Sequence, residues 1–252
     1  MPLLSAREAA RCMETTPVSP VPSVSLAHVQ FVRQHQGRGR PKGLAPIERA
    51  GVGRRHRRAR KPGAFIRRAR DDARLFARAR GGRWGLIPWF SKTADIKFST
   101  NNARSEELAS KASFKDPWAR GQRCIIPADW FDEPNWESGR NVWWRFRRAD
   151  GEPWGLAGLW NTWTDKATGE LVESYTMLTI NADSHPLMRR MHKPDPQLGP
   201  HEQDKRSVIA IERSDVDPWL TGTVQQAQQL LRLTPVEVFD AGPSSASQPG
   251  LI

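Results

Sequence analysis

Tryptophan marks where this chain must build a packed interior. Ten of its eleven Trp residues fall between Trp84 and Trp163, and the last is Trp219. An indole carries a large apolar surface with one polar edge, so it is stable only in a core or on a binding face. The charge divides at the same place. Residues 1–83 hold 20 Lys and Arg against 5 Asp and Glu, whereas residues 84–252 hold 19 against 22. The formal net charge of +12 therefore comes from the first third of the chain. A basic block of this kind attracts polyanions, and nucleic acid is the usual one.

Residues 1–61 follow neither a strand period nor a helix period, and Phe31 is their one aromatic residue. Strings such as "TTPVSPVPSVS" and "GVGRRHRRARKPG" bury too little apolar surface to offset the entropy of ordering. This segment reads as basic and disordered, or as non-native sequence. Residues 62–83 are transitional, with a short strand expected over 64–67 and a short helix after Asp71. Beyond them, short apolar or alternating runs predict strands over 84–88, 123–127, 142–147, 154–160, 175–180, 207–211 and 236–239, with a hairpin loop at 165–169. Two helices are expected. One is "ARSEELASKA", capped by Ser105; the other is "VQQAQQLLRL", with Leu230, Leu231 and Leu233 toward the core. The fold class is α+β: a strand-rich single domain over 62–242, with a curled or barrel-like, mainly antiparallel sheet and peripheral helices, then a flexible tail over 243–252.

Several function classes are set aside by what the chain lacks. No apolar run approaches the roughly 18 residues of a membrane span. No basic start followed by a compact apolar segment suggests secretion. Cys12 and Cys124 stand too far apart to suggest a disulfide framework or a zinc site, so a reducing cytoplasm is the expected compartment. Gly-rich phosphate loops, G-x-S-x-G elbows and H-E-x-x-H helices are missing, as is any Ser-His-Asp arrangement for cleaving other proteins. No metal or organic cofactor is expected, and the chain reads as a monomer.

Three segments combine polar groups with a strand end. In "STNNARSEE" (99–107), amides at a loop-to-helix junction are ordinarily caps; a site there requires Asn102 to face a cleft and Arg104 to meet a phosphate. In "RCIIPADWFDEP" (123–134), a buried-type strand carrying a core-like Cys124 runs into Asp129, Asp132 and Glu133. In "NADSHPLMRRMHKPDP" (181–196), His185 and His192 stand beside Arg189, Arg190 and Lys193.

Taken in order, "WGLIPWF", "NNARSEE", "RCIIPADWFDEP", "GLAGLWNTW" and "YTMLTINAD…MHKP" resemble the successive motifs of the SOS response-associated peptidase family, with "KPGAFI" similar to an early family segment. The resemblance implies binding of single-stranded DNA at abasic sites and a covalent DNA–protein crosslink. In that chemistry, the α-amine and thiol of a cysteine following the initiator Met close on the sugar aldehyde as a thiazolidine. By motif, it implies that Asn102 positions the cysteine, Glu133 assists proton transfer and His192 is the second acid–base group, with His185 in reserve. It implies that Arg104 holds a backbone phosphate and that Trp84, Gly85, Pro88 and Trp89 line a groove where bases stack. Pro134 stands where related members carry an aromatic residue. The chain opens Met1-Pro2-Leu3, and Cys12 follows Arg11. A terminal cysteine would then require processing after Arg11, and the Pro2 amine offers at most a transient iminium. Any peptide cleavage is expected to be self-processing at the N-terminus. The alternative is a single-strand-binding remnant of the family without catalysis.

Overall fold

The structure is a computed structural model, and it describes residues 62–69, 77–199 and 201–244. The expectations for residues 1–61, for a helix starting at Asp71 and for the tail beyond Ser244 lie outside the described residues. The strands are β1 (Pro62–Arg68), β2 (Ala77–Trp84), β3 (Asn102–Arg104), β4 (Arg123–Ala128), β5 (Phe131–Asn135), β6 (Val142–Arg148), β7 (Trp154–Thr164), β8 (Leu171–Asn181), β9 (Arg206–Val208) and β10 (Phe239–Pro243). Three short helices are α1 (Lys115–Ala119), α2 (Val216–Thr221) and α3 (Val224–Gln229).

Five strands close into a barrel in the order β2-β1-β4-β7-β8, and β8 returns to pair parallel with β2. The other four pairings around the ring are antiparallel. β3 and β9 extend the sheet from β8, and β10-β6-β5 form a second, antiparallel sheet. The fold class expected from sequence is the one observed.

Both faces of the barrel strands are covered, which explains runs such as "RCIIPA" that are buried throughout rather than alternating. One face carries Phe65, Cys124, Ile126, Leu156, Trp160, Tyr175 and Met177 and fills the barrel interior. The other carries Ile66, Ile125, Ala157, Leu159 and Leu178, packed under Trp118, Trp219, Leu220 and Leu230 of the helical layer. Arg123 is buried between these layers. Its Nε and Nη2 donate to the carbonyls of Trp219 and Gly222, and its guanidinium lies 5.9 and 5.8 Å from the rings of Trp118 and Trp219. Hydrogen bonds to two carbonyls offset part of the cost of burying this cation. No helix among the described residues is long and apolar enough to cross a membrane.

Local chemistry explains where the expected elements shift. The expected strand at 84–88 stops at Trp84, because Gly85 turns the chain at φ 127°. Its strand character lies upstream instead, in the Arg-rich β2, which is held by a seven-residue ladder to β1. The expected helix after Ser105 is only a 3-10 turn over Ser105–Glu107, and Ser105 is buried within it rather than capping it. The second expected helix is shorter than its pattern but begins at a full capping box between Thr223 and Gln226. The 165–169 loop closes the β7–β8 hairpin, with Gly169 at φ 75° donating to the carbonyl of Asp165.

Gly158 of β7 sits where its neighbours leave no room for a side chain. A Cβ there would meet the Thr176 carbonyl at 2.7 Å and the Cys124 Sγ at 2.8 Å. Gly158→Ala is therefore expected to lower unfolding free energy by about 1–3 kcal/mol through overpacking, measured by urea denaturation. Unchanged stability would show that the interior gives way freely at this point.

Candidate active site

The pairing of β5 with β6 decides what each carboxylate after β4 can do. Side chains alternate along a strand, so Phe131, Glu133 and Asn135 share one face while Asp132 and Pro134 take the other. Phe131 anchors the register: it stacks on its cross-strand partner Phe146 with centroids 4.9 Å apart and planes 2° from parallel, and it packs against Trp154. Asp132 stands opposite Arg145, which donates to its two oxygens at 2.8 and 3.0 Å while lying over Trp130. Asp132 is thereby committed to an ion pair. Glu133, one residue on, stands opposite Trp144 on the other face of the strand, and its side chain is 13% exposed.

Burial, aided by the Asp132 charge, pushes the Glu133 carboxyl up to about 8. Its Oε2 is buried with no hydrogen-bond partner among the described residues. That oxygen lies 3.3 Å from Nε2 of His192. Burial, and then the Lys205 charge, push the His192 imidazole down to about 4. At neutral pH the two groups are thus a protonated acid beside a neutral base, each kept uncharged because burial penalises charge.

His192 has a left-handed backbone, φ 61°, which costs a non-glycine residue on the order of 1 kcal/mol. It is gripped on both sides. Its N–H donates to the Pro134 carbonyl at 2.6 Å, Lys205 Nζ donates to its own carbonyl at 2.8 Å, and the preceding Met191 bridges to Asn135. The loop carrying His192 is therefore tied directly to the strand carrying Glu133.

His185 has a different role. Its Nδ1 accepts from the N–H groups of Leu187 and Met188 at 3.1 and 3.0 Å, which leaves the proton on Nε2 to be donated to the Thr234 carbonyl at 2.8 Å. Both ring nitrogens are used, and the residue is 5% exposed. It is a buried structural histidine that caps the turn at Met188–Arg190 and packs edge-on against Phe239. Of the two histidines, His192 is the one whose ring lies against Glu133, while the ring of His185 is engaged by backbone groups.

The other expected site residues are placed as follows. Asn102 opens β3 beside Met177, and its exposed side chain has no hydrogen-bond partner among the described residues. Arg104 is exposed and pairs with Asp204 and with Glu107. Trp84, Gly85 and Pro88 are buried: Trp84 is a core residue whose indole N–H donates to the Asn101 carbonyl at 2.8 Å, so its face is not offered to a base. In this segment the exposed aromatics are Trp89, 61% exposed, and Phe90, set edge-on at 5.8 Å. Cys124 is fully buried, and burial pushes its thiol well up, consistent with a core residue. No group of side chains suited to a metal ion occurs among the described residues.

Sequence reasoning missed the rim of the pair. Arg190 lies 4.8 Å over Trp144 and donates to both oxygens of Glu137, and Lys193 lies 5.6 Å over Trp136. The cluster of Trp residues was visible; which of them flank Glu133 was decided by cross-strand register.

Comparison with known proteins agrees with this architecture. Residues 45–245 match the family model described as SOS response associated peptidase. The abasic site processing protein HMCES of Xenopus tropicalis is 30% identical over 184 residues, covering 65% of this chain and 51% of that protein. The abasic site processing protein YobE of Bacillus subtilis is 35% identical over 124 residues, covering 49% of this chain and 55% of that one. The chain thus spans about half the length of these curated relatives. A crystal structure of a Bordetella bronchiseptica protein is 40% identical with a TM-score of 0.65, covering 74% of this chain and 85% of that one. The matched span, the barrel and the order of the motifs lead to one conclusion: this chain belongs to the SOS response associated peptidase family.

Proposed function

We propose that this chain captures abasic sites in single-stranded DNA, with Glu133 and His192 as the acid–base pair acting on the aldehyde of the opened sugar. The observation that carries this reading is the geometry of the pair: a buried carboxyl oxygen with no hydrogen bond among the described residues, 3.3 Å from a strained, backbone-clamped imidazole. The names of the curated relatives, abasic site processing proteins, support the substrate class.

The chemistry needs such a pair. An amine adds to the aldehyde carbon and gives a carbinolamine. Its hydroxyl leaves as water only after taking a proton, which protonated Glu133 can supply. A thiol then adds to the imine carbon; its proton passes to the base, and the ring nitrogen is protonated as the C–S bond closes. Aldehyde, amine and thiol become a thiazolidine plus one water. His192, neutral at pH 7, serves as the base. Asn102, whose amide has no hydrogen-bond partner among the described residues, orients the reacting residue, while Arg104 and the exposed Trp89–Phe90 pair meet backbone and bases.

A second reading is single-strand binding without capture. It is favoured by Cys124: the one cysteine among the described residues is buried and unreactive, so the thiol would have to come from outside them, where Cys12 lies. Self-processing at the N-terminus would use the same acid–base pair.

A denaturing gel with single-stranded DNA bearing one abasic site tests the proposal. The wild-type chain is expected to give a heat-stable shifted band, with Glu133→Gln and His192→Gln each slowing its appearance about 100-fold. His185→Gln is expected instead to lower stability by about 1–3 kcal/mol, by leaving buried backbone groups unpaired, without slowing capture by the folded fraction. Capture at the wild-type rate in both site variants would overturn the assignment. Binding on a native gel with no covalent band would favour the second reading.

The buried pair also fixes a pH dependence of stability. Glu133 is raised from 4.5 to about 8, so the native state holds a proton that the unfolded state loses, and stability falls as pH rises through that window. His192 is lowered from 6.5 to about 4, so its contribution is lost as pH falls through that range. Glu133→Gln is expected to become progressively more stable than wild type from pH 4.5 to 8, by up to about 1.4 kcal/mol per pH unit, followed by chemical denaturation across pH. A constant difference would mean that Glu133 is ionised throughout.

A further inference from the structure

The described residues contain two non-glycine residues with left-handed backbones, His192 at φ 61° and Asp204 at φ 50°, and one side chain joins them. We infer that Lys205 is a positioning residue for His192: it holds the carbonyl of His192 while Pro134 holds its amide, so that the imidazole is presented to Glu133. This inference rests on the acid–base reading of the pair given above.

Lys205 is an unusual residue to bury, at 6% exposure, because an ammonium loses much hydration there. Its Nζ donates to the His192 carbonyl at 2.8 Å. Its own backbone is locked from the other side. The Asp183 carboxylate accepts from the N–H of Lys205 at 2.8 Å through Oδ1 and from the N–H of Asp204 at 3.1 Å through Oδ2. The Lys205 carbonyl in turn accepts from Ala182 N–H at 2.6 Å. Asp183 thus holds Asp204 in its left-handed turn, and that turn sends the lysine stem toward the His192 loop. Strained backbones persist only where their surroundings over-determine them, and here two are fastened by one latch running Asp183–Lys205–His192–Pro134. The far end of the latch is the residue next to Glu133. A general base must lie within reach of the proton it moves, and a misplacement of about 1 Å can cost about 100-fold in rate, so the latch acts on the chemistry without touching substrate.

The charged groups around the imidazole are few. Glu133 faces it from β5 and Lys205 approaches its carbonyl from the start of β9, while Lys193 is drawn over Trp136 and Arg190 is drawn to Trp144 and Glu137. Behind the lysine stands the Asp183 carboxylate, bound to the backbone of Asp204 and Lys205, so removing the lysine takes away the cation nearest the ring and leaves Glu133 as the titratable group in contact with it.

The test uses the full chain as wild type, Lys205→Met and Lys205→Arg. Three readouts are compared: NMR titration of the His192 ring in histidine-labelled protein, native-gel affinity for single-stranded DNA, and the rate of covalent capture of an abasic oligonucleotide. Lys205→Met is expected to move the His192 titration to higher pH than in wild type and to slow capture about tenfold or more with DNA affinity unchanged. Lys205→Arg, which keeps both donor and charge, is expected to restore both. A Lys205→Met variant with wild-type titration and wild-type capture overturns the inference. If Lys205→Met does not fold, Lys205→Arg decides alone: wild-type titration supports the role, and an altered titration despite the retained charge and donor overturns it. A wild-type chain that never captures the lesion sinks the functional reading only, because the titrations still judge whether Lys205 governs His192.

Discussion

The parallel pairing of β2 with β8, through Arg83 with Ser174 and Trp84 with Tyr175, is the constraint on which the structure depends. Without it the sheet would be open, with β2 an unpaired edge and one flank of its core wet. With it, a five-strand ring encloses Phe65, Trp160 and Tyr175 and leaves its outer face to the helices that carry Trp118 and Trp219. Closure also dictates the fate of individual tryptophans. Trp84 lies at the closing register and is consumed by the core, whereas Trp89, five residues on and beyond the Gly85 turn, stays in solvent.

The second sheet builds the site by the same logic of register. The stacking of Phe131 on Phe146 fixes which face each neighbouring residue takes. Of two adjacent and largely inaccessible carboxyl groups, Asp132 receives a bidentate arginine, whereas Glu133 stands opposite Trp144 and 3.3 Å from His192. The contrast matters chemically. A buried carboxyl that keeps its proton can donate it near neutral pH. The cost of holding Glu133 and His192 in their neutral forms is borne by the surrounding packing, and the left-handed backbone of His192 adds strain that the loop's hydrogen bonds offset.

The two histidines show how far local sequence can go. Both lie in one Pro-containing, cation-rich segment, and the motif there favours His192 while keeping His185 in reserve. In the structure, one has both nitrogens engaged by backbone groups and the other has its ring against a carboxyl from a strand nearly 60 positions earlier. Lys205 and Trp144 were equally invisible as contributors, because their roles arise from a backbone latch and a cross-strand register rather than from a motif.

What the sequence determined by itself is the class of the fold and the family. Strand-length apolar runs, turn residues and the confinement of Trp to the later part of the chain depend only on local physical chemistry, and the order of the motifs carried the family. What only the tertiary structure decided is pairing. The strand character of the Arg-rich β2, the burial of Trp84 and the placing of the His192 ring, rather than that of His185, against Glu133 each depend on groups brought together from distant positions. A side chain's charge state and availability are set by what surrounds it in space, and in this chain those surroundings come from strand register and barrel closure rather than from neighbours in sequence.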